Sequence, residues 1–172
     1  MFCRPDGPRG LHEFAALHSS PSANDPLFSF PFRGLRRLTL DTIDFRNPKM
    51  MTVLFELRNL THLAVVRFDV RRALGIQSVV GMIQGAIIDS PELFMRNLGK
   101  YIEEAVSEPR VILGMVGETL SHREALVRKF DSMKLLSFHR VVFAPYDPEV
   151  EGRDWFRHRI LDGTLWDMER GV

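Results

Sequence analysis

The chain has 172 residues, 45% of them hydrophobic and 26% charged, a composition typical of one globular domain with a sizeable core. Twenty-three basic and 22 acidic side chains leave a formal net charge of +1, so the charge balance does not favour nucleic acid or an anionic membrane as a partner. The single cysteine, Cys3, excludes an internal disulfide and a thiolate metal cage, and the most apolar run, Gly75 to Ile88, is too short to span a bilayer.

The beginning of the chain differs in composition from the rest. Half of the prolines lie between Met1 and Pro31, next to the polar stretch HSSPSAND. Such a segment buries too little apolar surface to offset the entropy lost on ordering it. The sequence therefore predicts a mobile arm over residues 1–25 and one domain over residues 26–172. Within the arm, Leu11, Phe14 and Leu17 are compatible with a short helical turn.

Two later segments carry the same apolar pattern in the same register. Each apolar residue of LRRLTLDTIDF has an apolar counterpart at the same relative position in LTHLAVVRFDV. The pairs, all separated by the same interval, are Leu35 with Leu60, Leu38 with Leu63, Leu40 with Val65, Ile43 with Phe68 and Phe45 with Val70. This interval falls within the range of about 20 to 29 residues typical of leucine-rich repeats, in which a short strand is followed by a helix on the convex side.

An ordinary α/β domain with two similarly spaced strands stays open as an alternative. Ile43 and Phe68 occupy the inward position at which leucine-rich repeats usually carry Asn or Cys. Gly85, Ile88 and Ser90 do not continue the pattern into a further unit, whereas such stacks need about three units to bury a continuous core.

The segment between the two strands predicts a helix. Asn47 and Pro48 suit the cap and the first helical position. Met51, Leu54 and Phe55 follow as an apolar stripe at helical spacing. Together these residues complete one strand–helix unit.

Four further helices are predicted along the chain. Residues 71–88 and 91–106 each place apolar side chains on one face, residues 122–130 also have a helical pattern, and residues 154–170 form a helix broken near Gly163. The two apolar faces comprise Ile76, Val79, Val80, Ile83 and Ile87 in the first helix, and Leu93, Leu98, Ile102 and Val106 in the second.

Two short apolar runs, residues 110–116 and 138–146, predict buried strands. The resulting order is strand, helix, strand, helix, helix, strand, helix, strand, helix. This alternation predicts an α/β fold with a largely parallel sheet. With the repeat, it predicts a short leucine-rich-repeat-like strand–helix solenoid that ends in a C-terminal helix.

Several loose motifs add a resemblance to a known family. Residues 35–74 and 141–169 resemble the carboxyl-terminal part of the F-box/leucine-rich-repeat-like proteins of mushroom-forming fungi. The motifs are the two repeat strands, the strand from Arg140 to Phe143, Asp154 with Trp155, Gly163, and Trp166 with Glu169. The resemblance implies a leucine-rich-repeat fold and the recruitment of substrate proteins to a ubiquitin ligase.

In that family the F-box is an amino-terminal helical module that docks on a Skp-type adaptor. Here the first repeat strand begins by Leu35, directly after the proline-rich segment. We therefore expect no F-box and no Skp-type adaptor as a partner. The resemblance then implies only the recognition function of the family, in which a surface of the repeat region binds another protein.

Six side chains of the two repeat strands alternate with the leucines and are the predicted partner-binding residues. They are Arg37, Thr39 and Asp41 on the first strand, and His62, Ala64 and Val66 on the second. A solvated or loop-covered strand face without a ligand is the alternative. Trp155 and Trp166 are interpreted as core residues that seal the end of the sheet.

The candidate catalytic motifs fail on spacing or composition. The glycines near Ser78 stand one position too far from it on either side for a nucleophile elbow. His122 and Glu124 have the H-x-E form of zinc deaminases, but the paired cysteines are missing. The loop at residues 114–122 lacks the Lys-Ser/Thr of a phosphate-binding loop.

We therefore expect a noncatalytic protein-binding module of the cytoplasm or nucleus, with no cofactor, no metal site, and neither nucleic acid nor membrane as a partner. Two alternatives stay open. One is a small α/β enzyme with a site at the 114–122 loop that contains Glu118 or His122. The other is a truncated gene product without an independent role, whose signature is poor solubility.

Overall fold

A computed structural model describes residues 2–4, 13–16, 34–76, 91–116, 120–146 and 154–168. Its strands are β1 (Phe2–Arg4), β2 (Glu13–Ala16), β3 (Arg37–Leu40), β4 (His62–Val65), β5 (Arg110–Val116) and β6 (Val141–Tyr146). Its helices are α1 (Pro48–Glu56), α2 (Val70–Leu74), α3 (Pro91–Glu104), α4 (Leu120–Ser132) and α5 (Trp155–Asp162), with 3-10 helices at Leu136–Arg140 and Thr164–Asp167. From β3 onward, the described elements follow the predicted order.

The described strands form one sheet in which the spatial order equals the chain order, β1 to β6. β1 and β2 are antiparallel, and each later pair of neighbours is parallel. Leu38 pairs with Leu63 and Leu40 with Val65, which confirms the register predicted for these two strands. The α/β class with a largely parallel sheet is therefore confirmed.

The first part of the chain differs from the predicted mobile arm. β1 and β2 belong to the sheet, and Phe14 lies in a strand rather than in a helical turn. Phe14 pairs with Leu38 and Ala16 with Leu40, at almost the same sequence offset as that between β3 and β4. Parallel pairing gives this segment backbone hydrogen bonds that composition alone does not reveal. Leu11 and Leu17 lie outside the described residues.

Alternate strand positions build the larger core, which packs against α1 to α4. On β3 and β4 its members are Leu38, Leu40, Leu63 and Val65, each at most 2% exposed. The burial of these side chains on one face is the reason the two strands keep the same register, since a shift by a single position would turn them all to the other face.

The start of α1 is the predicted one. The Asn47 side chain accepts hydrogen bonds from the backbone N–H groups of Lys49 and Met50, at 3.0 and 3.3 Å, and Pro48 opens the helix. Met51 and Leu54 are buried in the larger core, as the apolar stripe predicts.

The two central helices depart in part from prediction. α2 ends at Leu74 because Gly75 adopts a left-handed conformation (φ 76°) that closes the helix, and Ile76 is 44% exposed. Residues 77–90, including the rest of that predicted face and Ser78, lie outside the described residues. In α3, Leu98 and Ile102 are buried as predicted, but Leu93 and Val106 are exposed. The buried stripe of α3 instead includes Phe94, Met95 and Tyr101.

A second, smaller core covers the other face of the sheet. It is made by the C-terminal segment, which we define as residues 154–168, packing on β4, β5 and β6. As predicted, the helix of this segment breaks at Gly163, whose left-handed backbone (φ 82°) separates α5 from the last 3-10 helix. β4, β5 and β6 are therefore covered on both faces.

Candidate protein-recognition face

The six predicted partner-binding residues lie on one face of the sheet. Arg37 pairs with His62 and Thr39 with Ala64 across β3 and β4. Beyond the strands, the backbone N–H of Arg67 donates to the carbonyl of Asp41 at 2.8 Å, which keeps the two chain segments side by side. Alternation then brings Asp41 and Val66 to the same face as the other four residues.

Four of the six residues are not exposed, contrary to the prediction. Thr39 and Ala64 are 0% exposed, Asp41 is 4% and Val66 is 9% exposed. Ala64 and Val66 belong to the smaller core, with members of the C-terminal segment. These small apolar side chains lose contact with water when aromatic residues pack on them, which favours a covered face over an open concave one.

Gly114 on β5 shows how closely the layers approach. A Cβ atom built there would overlap the carbonyl oxygen of Val66 and the ring of Phe156. The backbone N–H of Phe68 also donates to the carbonyl of Gly114, at 2.8 Å. A side chain at this position is therefore incompatible with the packing of α5 on the strand.

Arg37 and His62 keep access to solvent, and both contact Trp166. The rings of His62 and Trp166 meet edge to face with centroids 5.5 Å apart, and the guanidinium carbon of Arg37 lies 5.6 Å from the Trp166 ring centre. Trp166 itself is only 3% exposed, as predicted for a core residue. The indole thus joins the C-terminal segment to the first residues of two strands.

His62 lies in a partly buried, positively charged environment. Burial lowers its pKa from the ordinary value of 6.5, and the charges of Arg37 and Arg110 lower it further, while Asp167 opposes them. The His62 Nδ1 atom lies 3.0 Å from the Thr61 hydroxyl, which forms a hydrogen bond of 2.9 Å with the carbonyl of Arg36. Burial and the two arginines thus favour the uncharged form of the imidazole.

Arg110 is a member of this cluster that the sequence did not predict. It pairs with His62 across β4 and β5, and its guanidinium donates to the carbonyl of Met168 in the C-terminal segment. The sequence interval from His62 to Arg110 is nearly twice the interval from Arg37 to His62. This spacing is the signal in the sequence that places Arg110 at the equivalent position of the next strand.

At the other end of the same face, Asp41 binds Arg67. The Arg67 Nε donates to Asp41 Oδ1 at 2.8 Å, and its Nη2 contacts Oδ2, so the pair is bidentate. The Asp41 side chain is 6% exposed and that of Arg67 is 60% exposed. Hydrogen bonding to Asp41 raises the pKa of Arg67. The nearby Thr39 hydroxyl is buried and has no hydrogen-bond partner among the described residues.

Trp155 packs near the end of β6, in agreement with its predicted role. Its ring stacks on Tyr146 with centroids 5.2 Å apart, and the Arg159 guanidinium lies 4.5 Å from the centre of the Trp155 ring. Trp155 is partly buried against the smaller core.

The alternative enzyme site is only partly visible. Residues 117–119 of that loop, including Glu118, lie outside the described residues, and His122 is half-buried in the first turn of α4. Among the residues that the structure describes, no three His, Cys, Asp or Glu side chains come together in a way that suits a metal ion. Within the same residues, no helix has the length and apolarity needed to cross a membrane.

No family model matches the chain, and no curated protein or solved structure is significantly similar to it.

Proposed function

We propose that the chain is a noncatalytic protein-recognition module, a short leucine-rich-repeat-like solenoid similar to the substrate-recognition part of F-box ubiquitin-ligase receptors. The main support is that β3 and β4 pair in the register of the sequence repeat, within a sheet whose strands follow chain order. In leucine-rich repeats, strands stack in the same way, one unit after the next.

Arg37 and His62 are the members of the predicted face that offer contact to a partner. Trp166 packs against both side chains and limits their movement, which lowers the entropy cost of binding. Ala64 and Val66 pack against the C-terminal segment, and Thr39 and Asp41 are buried, so these four residues contribute by supporting the positions of Arg37 and His62. A few such anchored side chains are enough to dominate an interface.

An affinity pull-down with the full chain tests this function. The bait is incubated with extract of a mushroom-forming fungus, cross-linked, and its bound proteins are identified by mass spectrometry. A variant with Arg37→Glu and His62→Ala is compared with Arg96→Glu, a charge reversal at an exposed position of α3. We expect a single protein that is lost with the double variant and kept with the control.

Three other outcomes contradict parts of the proposal. Recovery of a Skp-type adaptor with a cullin contradicts the expected absence of F-box function. Recovery of chaperones alone contradicts specific recognition and favours a truncated product. Equal loss of the protein in the Arg96→Glu control contradicts the role of Arg37 and His62.

A further inference from the structure

Positive charge collects where the strands begin. We define the amino edge as residues 34–37, 58–62, 107–110 and 139–140, which lead into or begin β3 to β6. These described segments contain five arginines and two histidines but one acidic residue, Glu108. The basic members are Arg36, Arg37, Arg58, Arg110 and Arg140, with His62 and His139. The net charge of +1 for the whole chain conceals this local excess.

The parallel sheet places these segments side by side. Arg37 pairs with His62, and His62 pairs with Arg110, so two arginines occupy the same position on either side of the His62 imidazole. Neighbouring strands lie about 4.8 Å apart, so the starts of four strands extend over roughly 14 Å. An extended peptide of about five residues has a similar length.

Carboxylates at this edge are fewer than the arginines among the described residues. Glu108 lies 3.9 Å from Arg140, which also donates to the carbonyl of Ile102 and has a side chain only 12% exposed.

Asp167 acts electrostatically on His62, and Glu13 is in register with Arg37 across β2 and β3. Arg36, Arg37 and Arg58 are exposed. The edge therefore has a surplus of accessible positive charge.

We propose that the amino edge binds an extended acidic segment of the partner protein, an inference that rests on the proposed recognition function. Guanidinium groups bind carboxylates with two parallel hydrogen bonds, and the exposed Arg36, Arg37 and Arg58 lead into or begin two adjacent strands. Nucleic acid fits less well because Trp166, which packs against Arg37 and His62 of this edge, is 3% exposed and offers no open ring for a base.

Binding of a labelled octaglutamate peptide to the full chain, followed by fluorescence anisotropy, tests the inference. Octalysine and an oligothymidylate of the same length serve as comparison ligands. We expect octaglutamate to bind, octalysine not to bind, and the affinity for octaglutamate to fall with added salt. Arg37→Glu and Arg58→Glu are each expected to weaken binding about fivefold, as for a partly exposed ion pair, whereas Arg96→Glu leaves it unchanged.

Circular dichroism and urea unfolding first establish that each variant is folded, and the milder Arg37→Gln and Arg58→Gln replace any that is not. Absence of octaglutamate binding, or equal weakening by Arg96→Glu, overturns the inference. Tighter binding of the oligothymidylate also overturns it and assigns the edge to nucleic acid.

The pull-down separates this inference from the proposed function. In one outcome, a protein is captured in a manner that depends on Arg37 and His62, but the chain does not bind octaglutamate. The proposed recognition function then stands, and the inference of an acidic segment is overturned. Binding of octaglutamate without capture of any protein contradicts the recognition function instead.

Discussion

The His62 ring on β4 meets the Trp166 ring of the C-terminal segment at an angle of 65°, with centroids 5.5 Å apart. These residues are distant in the chain, so the contact ties the end of the described fold to the start of a central strand. Because the imidazole is half-buried between Arg37 and Arg110, its protonation affects both the stability of this contact and the charge of the amino edge.

Stability is expected to fall as the pH is lowered from about 8 to about 5.5. The pKa of His62 in the folded chain lies below its ordinary value of 6.5, so in this range the unfolded chain binds more protons than the folded chain. The contribution of His62 to the free energy of unfolding is fully present above its pKa in the unfolded chain. It is lost as the pH falls through its pKa in the folded chain. Urea unfolding at several pH values measures this effect.

His62→Gln is expected to reduce this pH dependence, because the side chain no longer titrates. His122→Gln, a change at another histidine of the described fold, is measured alongside it as the matched control. The same slope in His62→Gln as in the native chain would show that His62 does not account for the pH dependence.

Trp166→Ala is expected to lower the free energy of unfolding by about 3–5 kcal/mol, because the indole is almost fully buried in the smaller core. Trp155→Ala should cost less, since that side chain is only partly buried and lies against the edge of this core. Urea denaturation of both variants gives the comparison. A loss below about 1 kcal/mol for Trp166→Ala would mean that the C-terminal segment is not part of the cooperative fold.

Two glycines make a sharp test of packing. Gly114→Ala is expected to destabilise by about 2 kcal/mol or more, because the new methyl overlaps the backbone of Val66, which has no room to move. Gly99→Ala in α3 meets the flexible end of Met133 and gains helix propensity of about 1 kcal/mol, so its net effect should be small. Thermal unfolding distinguishes them, and equal losses would contradict the close approach at Gly114.

How far the sequence predicts the fold is seen by comparing two strand faces. On one face, Leu38 and Leu63 occupy equivalent positions of the repeat, and the need to bury both predicts their pairing. On the other face, Ala64 and Val66 are small residues whose pattern does not reveal what covers them. Their cover is Phe156 and its neighbours, which lie much later in the chain, and a contact of that range has no local signature.

β2 escapes prediction for a different reason. The proline-rich composition around it predicts low order, while its own pattern of Phe14 and Ala16, which pair with Leu38 and Leu40, is short and weak. Composition describes a whole segment, whereas strand pairing depends on a few residues within it. The candidate site is also predictable only in part. Alternation along the strands predicts that Arg37 and His62 share a face, but it does not predict that most of this face is buried.

The bidentate pair of Asp41 and Arg67 gives the last prediction, a coupling energy of about 1–2 kcal/mol between Arg67→Gln and Asp41→Asn. The carboxylate is almost fully buried and loses its charged partner when Arg67 is replaced, but the exposed guanidinium is screened by water, so the value falls below that of a fully buried pair. A double-mutant cycle in urea measures it. The matched control is Arg128 with Glu124 on α4, whose groups are 3.7 Å apart and about 70% exposed; their coupling should not exceed about 0.5 kcal/mol. Equal coupling in the two cycles would contradict a special role for the buried Asp41 carboxylate at this end of the sheet.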